Sequence, residues 1–365
     1  MRKRYVIVVV LALCLSACGE DEQSTPAPAT ATVVRELAAT GIGQYLGITP
    51  STMARNGEWE EYTYDPSAQQ AICLGGTNYQ VNLRRGSTNK VLLYLEGGGA
   101  CWSYRTCWVD MAAKLTAGSA SRLGILDSTN PKNPFADWNV VYASYCDGSV
   151  YSGDNIVDYN GRRTYHHGVE NLSAAVSLMA RNFPHPELVV VSGSSAGGYG
   201  TYPGYAVTRL AYHDTPLLVL DDCGPGLQNP ADTQDNGDQV TNWQYSRFLP
   251  SDCSQCASQT AYLGDWALAR DPTLRAALFE YLKDSVIRSF LKLDAPAFQT
   301  LLLSVSGDIH GRHPEQFKRF LKDGIQHTAF ELPNFYTLAI NGTTLRDWTA
   351  DFLTDGPAWQ DLVEP

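Results

Sequence analysis

Residues 189–200 read VVVSGSSAGGYG. Three β-branched valines form a buried strand, Gly193-Ser194-Ser195-Ala196-Gly197 forms a sharp turn, and the residues after it suit a helix. A serine hydroxyl is a weak nucleophile. At the apex of a strained strand-to-helix turn it becomes exposed, and a nearby base can then activate it. The small residues Gly193, Ala196 and Gly197 permit that geometry, and Gly198 and Gly200 extend it. A phosphate-cradling turn is the competing reading of such glycines. Position at the end of an apolar strand favours Ser195 as a nucleophile.

Other apolar runs flank this unit. Residues 79–85 alternate like a partly exposed strand, whereas residues 90–96 (KVLLYLE), 139–145 (NVVYASY), 216–221 (PLLVLD) and 298–306 (FQTLLLSVS) read as buried strands. Residues 166–183 and 196–212 carry apolar positions at helical spacing, as do 272–291 and the short stretch 313–322. Alternation of this kind predicts an α/β fold, a mainly parallel sheet flanked by helices. A helical insertion between the last strands is expected from residues 242–268 together with 272–291. In such sheets the reactive groups gather at the carboxyl ends of the strands.

The first such end is the run Gly97-Gly98-Gly99-Ala100-Cys101-Trp102 after residues 90–96. Glycine amides there can face a substrate carbonyl, and with the Ala196 amide they predict an oxyanion hole from Gly98, Gly99 and Ala196. The second is Asp308, just past residues 298–306, which is expected to orient a histidine. Asp221 and Asp222 at the end of residues 216–221 are the alternative. Of the histidines, His166, His167 and His185 precede Ser195 and His213 follows it closely, so the nucleophile, acid, base order of this fold favours His327. His310 and His313 are the fallback. No metal and no cofactor is required by this chemistry.

The amino terminus predicts export. Arg2, Lys3 and Arg4 precede a short apolar run that ends at Leu15-Ser16-Ala17-Cys18, a pattern that fits a bacterial lipoprotein signal with Cys18 as the lipidated residue. Residues 1–18 are then the signal, 19–34 a flexible Pro-, Ala- and Thr-rich tether, and 35–365 a single domain. The expected location is the outer membrane or cell surface, with the periplasmic side allowed, and the lipid anchor is the only membrane contact. Gly19 and Glu20 place no aspartate directly after Cys18, which favours the outer membrane. A net charge of −11 without a basic cluster excludes nucleic acid as a natural partner. Seven cysteines follow Cys18, and in an oxidising compartment disulfides are their default. Cys253-Ser-Gln-Cys256 has the spacing of a redox pair or half a zinc site, but no second CxxC and no paired histidines at ligand spacing accompany it, so no metal is expected there.

Taken together, AICLGGTNYQVNLRRG from Ala71, NKVLLYLEGGGACWSYRTC from Asn89, the Tyr145-Cys146-Asp147-Gly148 stretch, GSSAGGYG, the Ser306 to Asp308 triplet and HTAFELPNFYTLAINGTTLRDW from His327 resemble the pectin acetylesterase family, which also includes the carboxylesterase Notum. The resemblance implies an α/β-hydrolase fold and a serine esterase with Ser195, Asp308 and His327 as its triad. It implies disulfides Cys101–Cys107 and Cys73–Cys146, and leaves Cys253 with Cys256 and Cys223 single. The expected substrate is an ester, foremost an O-acetylated polysaccharide such as pectin. A lipid, polyester or acyl-protein ester is the alternative, and a non-catalytic surface binding protein a more distant one. Trp102, Asp147 and Tyr199 are candidate substrate-lining residues. The chain departs from the family at Ala100, where many relatives carry an aromatic residue, and at Asp147-Gly148-Ser149.

Overall fold

The computed structural model describes residues 29–68 and 70–365. The expected signal and Cys18 lie outside the described residues. Helix α1 (Ala31–Ala39) buries Val33 and Leu37, and the Thr30 hydroxyl donates to the His213 carbonyl at 2.7 Å. The tether expected through residue 34 is therefore corrected, because the domain begins by Thr30. Two apolar side chains one helical turn apart are enough to dock this segment.

A ten-stranded sheet organises the chain. Strands β1 (Thr52–Asn56), β2 (Trp59–Tyr64) and β3 (Tyr79–Arg84) form its antiparallel edge, and β3 also pairs antiparallel with β5 (Asn139–Ala143). Beyond it β5 and β4 (Lys90–Leu95) run parallel. An antiparallel hairpin of β6 (Asn155–Tyr159) and β7 (Arg162–His166), turned on Asn160-Gly161, stands apart from the main sheet. Helix α2 (Gly168–Asn182) then leads into β8 (Leu188–Ser194), which pairs with β4 on one side. Helices α3 (Ala196–Tyr199) and α4 (Thr201–Ala211) follow the Ser195 turn and return to β9 (Leu217–Asp222), the other neighbour of β8.

The remainder departs from the sequence reading in an instructive way. The insertion, with α5 (Thr233–Trp243) and α6 (Tyr262–Leu268), lies between β9 and the next strand, β10 (Arg275–Tyr281). Residues 272–291 are thus not one helix, since they contain β10 and the short α7 (Ser285–Phe290). Residues 298–306 are not a strand, because they sit inside α8 (Ala295–Arg312). Asp294 caps that helix by accepting from the Ala297 N–H, and Phe298, Leu302, Val305 and Ile309 bury one face at spacings of three and four. Residues 317–322 of the expected helix at 313–322 form β11 (Phe317–Lys322), parallel to β10. Helix α9 (Leu345–Thr354) and the short pair Leu362–Val363 complete the chain.

Every residue of β5 and β9 is buried, as are all but the first of β4, β8 and β10, as expected for strands covered on both faces. One core packs α1, α2, α4, α6 and α8 against the sheet, and a second packs Phe335, Trp348, Phe352 and Trp359 on the opposite face. The α/β architecture read from the sequence holds, with the polar ends of β4, β8, β9 and β10 converging on one rim.

Candidate active site

Ser195 follows β8 with φ 59° and ψ −118°, a conformation L side chains rarely adopt and one that exposes the residue on a turn. The glycines beside it are required by close backbone approach. A Cβ at Gly193 would meet the Gly197 carbonyl oxygen at 2.4 Å, and one at Gly197 would meet that of Leu95 at 1.9 Å. The Ser195 N–H donates to the Asp222 carbonyl at 2.8 Å, tying the turn to the end of β9.

Asp222 also holds the segment that carries the histidine. Its two carboxylate oxygens accept the N–H groups of Ala329 and Phe330, each at 2.9 Å, and it bonds the Ser194 hydroxyl, itself 2.6 Å from the Tyr94 hydroxyl. Burial pushes the Asp222 carboxyl up to about 6, opposed by these donors. Thr328, with φ 61°, donates its N–H to Cys223 Sγ at 3.2 Å. His327 is thereby anchored to the same strand end as Ser195. Asp222 serves it through the backbone and does not touch the imidazole.

The partner of that imidazole is Asp284. His327 Nδ1 donates to Asp284 Oδ2 at 2.6 Å, and His327 Nε2 has no hydrogen-bond partner among the described residues. Asp284 is fully buried three residues past β10 and caps α7, accepting from Val286 and Ile287.

Asp308 is elsewhere. It lies on α8, where it accepts from the Tyr262 hydroxyl at 2.9 Å and pairs with Arg312, so its assignment as the acid is corrected to a partly exposed link between α8 and α6. The carboxylate that meets His327 lies past the end of β10, not past residues 298–306. Asp221 accepts from the Gly224 N–H. His310 bonds the Phe317 carbonyl and His313 faces Asp265, so neither fallback histidine meets Asp284.

Gly98 and Gly99 follow β4, and their amides donate to no protein acceptor among the described residues. Gly99 has φ 80°, and a Cβ there would overlap the Ala112 carbonyl oxygen at 1.9 Å. The Ala196 amide opens α3, where the first N–H groups lack intrahelical acceptors.

Gly99, Ser195 and Ala196 open onto a cleft of about 1180 Å³, counting space continuous with solvent. Trp102 and Tyr199 line it, as read from the sequence. Asp147 does not. It is fully buried and accepts from Ser149 and Tyr151 in its own turn. The rest of the wall was not legible in the sequence. The insertion brings Trp243, Tyr245, Phe248, Leu249 and Leu263, and the segment after β10 brings Ile287, Phe290 and Leu291. Asn229, Asp232, Asp235, Asn236 and Gln239 supply its polar part, with Lys292 holding Asp232 and Asp235 at 2.8 and 2.6 Å. The insertion is fastened to the glycine-rich segment, since Trp243 Nε1 donates to the Cys101 carbonyl and Asn242 Nδ2 to that of Trp102, both at 2.8 Å.

Disulfides Cys73–Cys146, Cys101–Cys107 and Cys253–Cys256 are formed, and Cys223 is free and buried. The pairing that the resemblance implied is the one present, and Cys253-Ser-Gln-Cys256 is a disulfide.

A profile described as Pectinacetylesterase matches residues 60–260, more than half of the chain. The chain belongs to the pectinacetylesterase family. It is 32% identical over 142 residues to pectin acetylesterase 4 of Arabidopsis thaliana, a match covering 36% of this chain and 35% of that protein. It is 33% identical over 148 residues to the palmitoleoyl-protein carboxylesterase NOTUM of Schmidtea mediterranea, covering 37% and 28%. The matched stretch thus spans about a third of the length of these curated relatives. The crystal structure of the Wnt deacylase Notum from Drosophila superposes with a TM-score of 0.62 at 18% identity, over 83% of this chain and 94% of that one. That likeness concerns the fold. In this pectinacetylesterase family member the profile match ends before Asp284 and His327, so both rest on the geometry described above.

Proposed function

We propose that the protein is a serine carboxylesterase in which Ser195 is the nucleophile, His327 the base and Asp284 the acid that orients it. The observation that carries the reading is the arrangement at Asp222, whose carbonyl holds Ser195 and whose carboxylate holds the backbone two and three residues after His327. With Nδ1 engaged by Asp284, His327 presents Nε2 as the acceptor for the serine proton. Attack by Ser195 Oγ on the ester carbonyl gives a tetrahedral oxyanion, which the amides of Gly98, Gly99 and Ala196 would stabilise. Collapse expels the alcohol with the proton returned from His327. Water then releases the acid by the same sequence.

The wall of the cleft supports a reading of which ester enters. An acetyl group needs little apolar surface, whereas Trp102, Leu227, Phe248, Leu263, Ile287 and Phe290 surround enough space for several methylenes. The acyl group is therefore proposed to be longer than acetyl, on an alcohol of lipid, polyester or acylated-protein type. O-acetylated polysaccharide, pectin included, is the second reading, supported by the family membership and by the polar residues Asn229, Asn236 and Gln239 in the same cleft.

The test is acid release from nitrophenyl esters of rising chain length and from acetylated pectin and xylan, beside Ser195→Ala. A rate that climbs with chain length and disappears in the variant supports the first reading. Preference for acetylated pectin moves the assignment to the second, and no turnover of any ester returns the chain to a binding role. Export as a lipoprotein is proposed from residues 1–18 alone, and Cys18→Ala is expected to shift the protein from the membrane fraction to the soluble one.

A further inference from the structure

We infer that Cys223, Asp284 and His327 form an inhibitory site for a thiophilic divalent cation of the zinc class. One ligand atom from each residue lies within 4.8 Å of the others. A tetrahedral zinc ion holds its S, N and O ligands at about 2.0–2.3 Å, which places them about 3.5 Å from one another. Closing the site therefore requires side-chain shifts of about an ångström.

A second observation points to the same place. Glu280, on β10, is completely buried, its carboxyl faces both Cys223 and Asp284, and Oε2 has no hydrogen-bond partner among the described residues. An unpaired buried carboxyl oxygen is costly in a folded protein, and a cation bound by Cys223, Asp284 and His327 would offset that cost without taking Glu280 as a ligand. A dication stabilises the Cys223 thiolate and the Asp284 carboxylate together. Binding then forms a metal–sulfur bond and releases the thiol proton to solvent.

The set also predicts selectivity. A thiolate and an imidazole favour zinc and cadmium over magnesium and calcium, which prefer oxygen ligands. Cys223 is the free thiol among the described residues, since the other six cysteines there are paired. Inhibition follows because the cation occupies the proposed base and acid, so the inference rests on the esterase reading for its consequence and on geometry alone for binding.

The experiment separates the two. Co²⁺ is added to the purified full-length protein and to its Ser195→Ala variant, and the thiolate-to-cobalt charge-transfer absorption is followed. The band is expected in both and absent from Cys223→Ala, whether or not any ester is turned over. In parallel, Zn²⁺ and Mg²⁺ are titrated against ester hydrolysis, each variant being referred to its own metal-free rate. Zn²⁺ is expected to inhibit and a chelator to restore the rate. Half-inhibition in Cys223→Ala should need at least the about 10–100-fold higher concentration that loss of even an outer partner costs a metal site. Should Cys223→Ala fail to fold, Cys223→Ser, which retains an acceptor for the Thr328 N–H, replaces it. No cobalt band in the wild-type protein, or equal zinc sensitivity in wild type and variant, overturns the proposal.

Discussion

His327 Nδ1 lies 2.6 Å from Asp284 Oδ2, while Oδ1 of the same carboxylate accepts the N–H groups of Val286 and Ile287 at 2.7 and 2.9 Å. One side chain thus orients the imidazole and caps a helix. Asparagine also caps helices well, so Asp284→Asn should fold normally while losing the charge that stabilises imidazolium and the correct tautomer. Its kcat is expected to fall about 10⁴-fold. Asp308→Asn is expected to leave kcat unchanged and to cost at most about 1 kcal/mol, the scale of a partly exposed ion pair. Steady-state kinetics with melting curves on the two variants checks this, and the opposite ranking would restore Asp308.

The turn at Ser195 tolerates no added volume at Gly197. Gly197→Ala drives a methyl into the Leu95 carbonyl oxygen, at 1.9 Å before relaxation, and should cost about 1–3 kcal/mol or more and reduce activity with it. Gly237, in α5, is exposed, and its added Cβ would meet nothing within 4 Å. Gly237→Ala is therefore expected to stabilise by about 0.5–1 kcal/mol. Denaturant melts of both variants test the contrast.

If the acyl chain enters the apolar cleft, each buried methylene contributes about 0.8 kcal/mol, or about fourfold in kcat/KM. Leu263→Trp narrows that space and should flatten the rise of kcat/KM with chain length while sparing the acetyl ester. A slope unchanged by the substitution would place the acyl group elsewhere.

Cys73–Cys146 closes a separation of 73 residues and Cys253–Cys256 one of 3. On loop-closure entropy the first contributes about 4 kcal/mol and the second about 2. The double serine variant at Cys73 and Cys146 should melt lower than that at Cys253 and Cys256, as differential calorimetry would show.

Glu170, on α2, has an unpartnered buried oxygen, and burial raises its carboxyl from 4.5 to about 8. The folded protein therefore holds this proton when the unfolded chain has lost it. The contribution is fully present below about pH 4.5 and is lost as pH rises through about 8, with a slope of about 1.4 kcal/mol per pH unit. Glu170→Gln should remove that slope from a plot of stability against pH. A variant as pH-sensitive as the wild type in this range would contradict the assignment.

Much of this molecule is local and so was readable along the chain. The valines before Ser195, the glycines around it and the run after β4 each act through their own strand end, and chain order singled out His327 as the candidate base. The hairpin turn Asn160-Gly161, with φ 57° and 83°, carried a legible signal that the apolar pattern alone does not reveal. Residues 298–306 misled because an apolar run of that length fits a buried strand or a buried helix equally well. The cap at Asp294 and the partners of Phe298 and Leu302 decide for helix. Once α8 takes those residues, the strand is β10, and the carboxylate that meets His327 is Asp284 and not Asp308.

The sequence by itself determined the α/β class, the serine turn and the glycine-rich segment, because these depend on backbone sterics and short-range periodicity. Only the tertiary structure decided which carboxylate meets His327 and what forms the walls of the cleft. Those depend on which buried groups meet across segments far apart in the chain, and burial and pairing are properties of the packed whole.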